Sequence, residues 1–77
     1  MPEPGTKLIL APGVLHALVP EAEGGASLRW AGAPVALDAT EAGWFALLAD
    51  GASPAELGDG ALEFCEGLLR RGLLVRA

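Results

Sequence analysis

The sequence has no tyrosine, one cysteine, one histidine and only five lysine and arginine residues among 77. A single cysteine can form neither an internal disulfide nor a multi-cysteine zinc site. The cross-links and zinc sites that usually stabilise small secreted domains are therefore excluded. Ten aspartate and glutamate residues give a formal net charge of -5, and this sign opposes binding to nucleic-acid phosphates. These scarcities favour a cytoplasmic protein that does not bind nucleic acid.

Long apolar runs are missing as well. The longest uncharged run near the amino end, residues 8–20, is interrupted by Pro12 and Gly13. It is also shorter than the roughly 20 apolar residues of a membrane-spanning helix. The first residues lack the basic start of a signal peptide. We therefore expect a soluble protein without a membrane partner.

Apolar side chains, in contrast, are abundant. Hydrophobic residues make up 52% of the chain and charged residues 19%, a composition too apolar for intrinsic disorder. A domain this short buries only about 60% of the surface of its unfolded chain, which leaves little room for an enclosed catalytic cavity. We expect a single domain over residues 1–77 that is not an enzyme and needs no cofactor.

The first half of the chain has the pattern of strands and turns. Short apolar runs separated by proline and glycine extend to about residue 37. Alternation predicts three strands, at residues 14–19, 26–31 and 34–37, of which the first should be mostly buried. Pro34 has no backbone N–H, so the third strand is expected at a sheet edge.

The second half changes to helical spacing. Asp38 and Glu41 can form a capping box, which predicts a helix over residues 39–49. The apolar positions of this helix suggest a buried stripe of Trp44, Leu47 and Leu48.

Two more helices follow. Ser53 and Pro54 are typical of a helix start, but this second helix is only about one turn long. A third helix is predicted over residues 61–71, and Gly72 ends it. The fold prediction is an α+β unit in which a three-stranded antiparallel sheet precedes three helices, as in a winged helix-turn-helix domain.

Three local patterns occur in a characteristic order. Residues 10–14, Leu-Ala-Pro-Gly-Val, lead into the first strand, and residues 37–42 form a strand-to-helix corner. Residues 50–57 and 61–74 then cover the helix junction, the last helix and its closing turn. Together these patterns resemble the PqqD-like family of peptide-binding domains, the RiPP precursor peptide recognition elements. The short second helix departs from that family's usual pattern.

The resemblance implies a stand-alone winged-helix domain without catalysis of its own. In that family the domain binds the leader segment of a ribosomally synthesised precursor peptide and presents it to a larger modifying enzyme. The leader adds as a strand to the third strand and lies between that strand and the third helix. Here these elements are residues 34–37 and 61–71. We accordingly expect proline at Val35 to remove a backbone donor from the binding edge.

The predicted peptide-binding residues come from both elements. Residues 34–37 carry no charge that would protect the edge from pairing. The expected core stripe of the third helix consists of Ala61, Phe64, Cys65 and Leu68. Leu62 and Leu69 lie beside this stripe, where they line either a groove or the core. Arg70 and Arg71 either complement the helix dipole or bind an acidic leader residue. The full predicted set is Pro34, Val35, Ala36, Leu37, Leu62, Glu66, Leu69, Arg70 and Arg71.

Other chemically suggestive residues are interpreted as structural. His16 has no second histidine, cysteine or nearby acid, so we assign it no role as a base or ligand. Cys65 falls at a helical core position and is read as a small apolar residue. Trp30 and Trp44 are expected in the core. We predict neither a catalytic residue nor a metal site.

Two other function classes stay open. A winged-helix DNA-binding or transcription-related domain would have similar elements, but Glu63 and Glu66 stand where its third helix would need lysine or arginine. A non-catalytic adaptor subunit of an enzyme complex would instead dock on one partner through an apolar surface.

Overall fold

The computed structural model describes residues 3–77, and at residue 23 the backbone alone. Five short strands, three α-helices and one short 3-10 helix (Ala22–Gly24) are present in this part of the chain. The strands are β1 (Leu8–Leu10), β2 (Ala17–Pro20), β3 (Ala26–Arg29), β4 (Val35–Leu37) and β5 (Leu74–Arg76). The helices are α1 (Ala39–Asp50), α2 (Pro54–Leu57) and α3 (Ala61–Arg71). None of the helices in residues 3–77 is long and apolar enough to cross a bilayer.

The larger sheet is antiparallel with the strand order β2-β3-β4. Leu28 in the central strand lies opposite Leu18 on one side and Val35 on the other. This sheet and the three helices confirm the predicted α+β class. Within the described residues β4 pairs with β3 alone, so it forms an edge of the sheet, as the position of Pro34 predicted.

A second sheet was not predicted. β1 and β5 pair antiparallel, with Ile9 opposite Val75. β1 is also bound to the segment between α1 and α2, because Leu8 and Ala52 exchange backbone hydrogen bonds of 2.8 and 2.9 Å. The expected three-stranded sheet followed by three helices is present, and a further strand that was not expected stands before it and another after it.

The first predicted strand is shorter and more exposed than expected. β2 starts at Ala17 instead of residue 14, and all four of its residues are exposed. α1 packs mainly against β1 and β4 and does not cover β2 to the same extent. Leu15, before the strand, is 88% exposed, and His16 is also exposed, with its ring edge-on to Phe45 at 5.5 Å between centroids.

The capping box of α1 is confirmed. The Glu41 N–H donates to Asp38 Oδ1 over 2.8 Å, and the Asp38 N–H donates to Glu41 Oε1 over 3.0 Å. The buried stripe is different from the prediction, because Phe45 and Leu48 are buried whereas Leu47 is 56% exposed. Residues 44–48 are almost all apolar, so their sequence does not define which face turns inward.

α3 ends as predicted at Gly72, which has a φ of 83°. The Leu73 N–H donates to the Leu68 carbonyl over 3.0 Å, the long bond of a Schellman motif, and Leu73 is fully buried. Neither tryptophan is buried in the core as expected: both are half-buried, Trp30 packs against the core cluster and Trp44 packs against Phe64. The core cluster consists of Leu8, Leu28, Leu37, Phe45, Leu48, Ala52, Cys65, Leu68, Leu73 and Leu74.

Candidate functional site

A cleft of about 260 Å³ lies between β4 and α3. These are the two elements that the sequence predicted to border a peptide site. The α3 residues recur at spacings of three and four, so they share one face of the helix. The lining residues are Val35, Ala36 and Leu37 of β4, Glu41 of α1, and Glu63, Phe64, Gly67, Leu68 and Arg71 of α3.

The hydrogen-bond pattern of the sheet shows which peptide groups face the cleft edge. The Glu21 N–H donates to the Gly25 carbonyl over 2.9 Å, at the end of the β2–β3 ladder. Because antiparallel ladders alternate, the peptide groups of Ala26 and Leu28 point the other way, towards β4. Their partners are Leu37 and Val35 respectively. The N–H and C=O of Val35 are therefore used inside the sheet.

Ala36 has the opposite orientation. It lies between the two hydrogen-bonded pairs, so its N–H and C=O point away from β3 to the open edge. On one side of it Pro34 has no N–H, and on the other the Asp38 N–H is bound by Glu41. Between residues 34 and 38, Ala36 thus offers the one free pair of backbone donor and acceptor.

The floor of the cleft is apolar. Leu37 and Leu68 are buried, and Val35 and Phe64 are half-buried beside them. A Cβ atom placed on Gly67 would meet no atom within 4 Å, so the helix leaves space at that point. An extended chain lying along β4 would find room for a side chain over Gly67.

The Phe64 side chain forms a wall of the cleft and packs against α1. The rings of Trp44 and Phe64 are 5.6 Å apart between centroids and inclined at 49°. The Trp44 indole N–H donates to the Leu57 carbonyl over 3.0 Å, which fixes the orientation of the indole. The cleft is therefore supported by connected contacts among all three helices.

The cleft carries charges of both signs. Glu41 and Glu63 contribute carboxylates, and Arg71 contributes a guanidinium. Within residues 3–77 the one ion pair joins Arg70 to Glu66, at 2.9 Å, so Arg71 forms none there. Arg71 is left available to an anionic group on a ligand.

Four predicted site residues line the cleft: Val35, Ala36, Leu37 and Arg71. Of the described residues, the other five predicted ones do not. Leu62 lines a separate hollow with Pro54, and Leu69 packs against the core. The expected groove wall of Leu62 and Leu69 is therefore not part of this cleft. Pro34, Glu66 and Arg70 also lie outside its lining.

Five lining residues were not predicted: Glu41, Glu63, Phe64, Gly67 and Leu68. Phe64 and Leu68 were assigned to the core, and Glu41 to capping alone. One signal was present in the sequence, because an isolated glycine inside a helix costs about 1 kcal/mol relative to alanine and so draws attention to its position. Gly67 has that position in α3.

Other reactive groups do not form a competing site. Burial raises the pKa of the Cys65 thiol, which is fully buried and so not available as a thiolate nucleophile. No three metal-binding side chains come together within residues 3–77. Comparison of the chain with protein-family models, curated proteins and solved structures gives no significant match.

Proposed function

We propose that the protein binds the leader segment of a ribosomally synthesised precursor peptide by strand addition to β4, and presents it to a separate modifying enzyme. The open edge of β4 beside an apolar cleft is the observation that carries this proposal. An added strand would exchange two hydrogen bonds with Ala36, and its alternate side chains would enter the cleft.

We interpret the α+β unit as a PqqD-like winged-helix domain. The β2–β3 hairpin beside three helices is compatible with this interpretation, as is the sequence resemblance at residues 37–42 and 50–57. In that family the leader lies between the last strand of the sheet and the last helix. The corresponding elements here are β4 and α3, which border the cleft.

Peptide presentation accounts for the composition of the cleft better than DNA binding does. The exposed positions of α3 include Glu63, and Glu66 is bound to Arg70, so the helix does not offer a basic surface to phosphates. The net charge of -5 opposes such contact further. The lining instead combines a backbone edge with apolar side chains, as strand addition requires.

A second candidate function, that of a non-catalytic adaptor, is favoured by a different surface. A hollow of about 550 Å³ is lined by Gly13, Val14, Leu15, Trp30 and Ala31, and the Leu15 side chain is 88% exposed. Exposed apolar patches of this kind are typical of protein interaction sites. In a leader-binding protein the same surface could contact the modifying enzyme.

The proposal is tested by fluorescence anisotropy. Labelled peptides from the amino ends of short open reading frames next to the gene are titrated with the protein, with a scrambled peptide as control. We expect one leader to bind with a Kd near or below about 1 μM, about -8 kcal/mol. If every neighbouring leader binds no better than its scrambled control, leader recognition is rejected and the adaptor function is preferred.

Two variants locate the binding. Ala36→Pro removes the free N–H of the edge and should weaken leader binding at least tenfold, whereas Ala36→Ser keeps that N–H and should bind like the wild type. Leu15→Ser, in the apolar hollow, should leave peptide affinity unchanged. Equal affinity for Ala36→Pro and Ala36→Ser, both folded, would exclude strand addition at β4.

A further inference from the structure

We infer, on the basis of the proposed peptide site, that the cleft selects its peptide by the order of two charges. The preferred segment has a basic and an acidic side chain four positions apart, with a small side chain midway between them. The basic group lies near Glu63, and the acidic group lies near Arg71.

The spacing follows from the geometry of α3. Glu63 and Arg71 line the same cleft and are separated by about 12 Å along the axis, at 1.5 Å per residue. An extended peptide advances about 3.3 Å per residue, so four positions span about 13 Å. Even spacing also directs both side chains to one face of the added strand.

Glu63 and Arg71 mark opposite ends of the α3 side of the cleft. Glu63 is adjacent to Phe64, whose ring packs against Trp44. Arg71 is two turns of α3 beyond Phe64. The cleft is therefore negative at the Phe64 end and positive at the Arg71 end.

Charge contributes strongly to peptide selection because the cleft provides few backbone hydrogen bonds and little apolar contact surface. The open edge has one donor and one acceptor, both on Ala36, so backbone bonds alone cannot align a long segment. Of the apolar floor, Leu37 and Leu68 are already buried by the core, so only Val35 and Phe64 keep apolar surface for a ligand. Gly67, midway between the charged ends, leaves space for a small side chain.

Designed peptides test this inference. The host is a nine-residue acetylated and amidated peptide of alternating threonine and alanine, with lysine at its third position and glutamate at its seventh. Three controls are the reversed order, glutamine at both positions, and lysine and glutamate three positions apart. Affinities are measured by competition against the labelled leader, or by direct anisotropy with labelled host peptides, at about 20 mM and 500 mM salt.

We expect one of the two charge orders to bind at least about fivefold more tightly than the glutamine peptide at low salt. The advantage should shrink at high salt, where surface charges are screened. Peptides with the three-position spacing should lose it, because their charged side chains point to opposite faces. Which order binds also shows whether the added strand runs parallel or antiparallel to β4.

Protein variants assign each charge. Glu63→Gln should remove the preference for lysine over glutamine, and Arg71→Gln should remove the preference for glutamate. Arg70→Gln is the matched control, because Arg70 pairs with Glu66 outside the cleft and should change neither preference.

The possible failures are distinguishable. If the charged and glutamine peptides bind equally, charge selection is overturned while strand addition at Ala36 stands. If no host peptide binds up to about 1 mM while a natural leader does, charge selection is likewise overturned. If no leader binds either, the proposed function itself fails.

Discussion

The indole N–H of Trp44 donates a hydrogen bond to the carbonyl oxygen of Leu57, 3.0 Å away, and so joins α1 to the last residue of α2. The same ring packs against Phe64 of α3. One side chain therefore links the three helices and supports a wall of the cleft. The link spans 13 positions of the sequence, so its loss should affect the fold and not only a local turn.

We expect Trp44→Phe to lower the free energy of unfolding by about 1 to 2 kcal/mol, since it removes this hydrogen bond and part of the ring contact. Trp30→Phe is the matched control. Its indole N–H donates to Ala33, three residues away in an exposed loop, over 2.8 Å. Urea unfolding should show a smaller loss for Trp30→Phe. Equal losses would mean that the bond between the helices adds no stability of its own.

The helix starts and ends that depend on local sequence were predicted correctly. The Asp38 and Glu41 capping box, the start of α2 at Pro54 and the end of α3 at Gly72 were all predicted where they occur. Each depends on residues within one turn of one another, so the physical cause is contained in the local sequence. The edge position of β4 was predictable for the same reason, from the proline before it.

Long-range relationships were not predictable in this way. β1 and β5 are three residues each and lie at opposite ends of the chain, so neither has a pattern that indicates its partner. The sequence also did not predict which face of α3 lines the cleft. Both Leu62 and Phe64 are apolar, and only the packing of α1 through Trp44 shows that Phe64 lies on the β4 side.

The burial of Cys65 predicts a stability change at high pH. Burial raises the pKa of this thiol above its ordinary value of 9.0 because the thiolate would be desolvated. The folded state thus holds the proton more tightly than the unfolded state. The resulting stability is fully present below about pH 9 and is lost as pH rises towards the pKa of the folded protein.

Urea unfolding at pH 7 and pH 10, with a reductant, measures this effect. Wild type should lose more stability between the two pH values than Cys65→Ala, by at most about 1.4 kcal/mol per pH unit above 9. The variant is the control for every effect of pH that does not involve the thiol. Parallel pH dependences would show that the thiol contributes nothing.

The alternation of β4 predicts that proline destabilises the fold more at one position than at its neighbour. Val35→Pro should destabilise the fold by about 2 kcal/mol or more, because it removes a sheet hydrogen bond and leaves the Leu28 carbonyl without its donor. This corrects the expectation that the Val35 N–H belongs to the binding edge. Ala36→Pro removes an N–H that points to the open edge and should cost clearly less. Thermal melts that rank the two in the reverse order would contradict the assigned alternation.

Gly67 allows the cleft to be blocked without disturbing the core. A side chain added at Gly67 enters open space in the cleft, and Gly43 of α1 is equally open but lies outside the cleft. Both glycines lie inside helices, so Gly67→Ala and Gly43→Ala should each stabilise the protein by about 0.5 to 1 kcal/mol. The two sites are therefore a matched pair for stability.

Substitutions at Gly67 and Gly43 should differ in their effect on peptide binding. Gly67→Phe places an aromatic ring over the apolar floor beside Leu68, so we expect leader affinity to fall by at least about tenfold while the protein stays folded. Gly43→Phe should bind the leader like the wild type. Because both variants remove a helical glycine and add the same ring, a loss confined to Gly67→Phe can arise only from occupation of the cleft. Undiminished binding by Gly67→Phe would place the peptide on another surface, for which the hollow beside Leu15 is the next candidate.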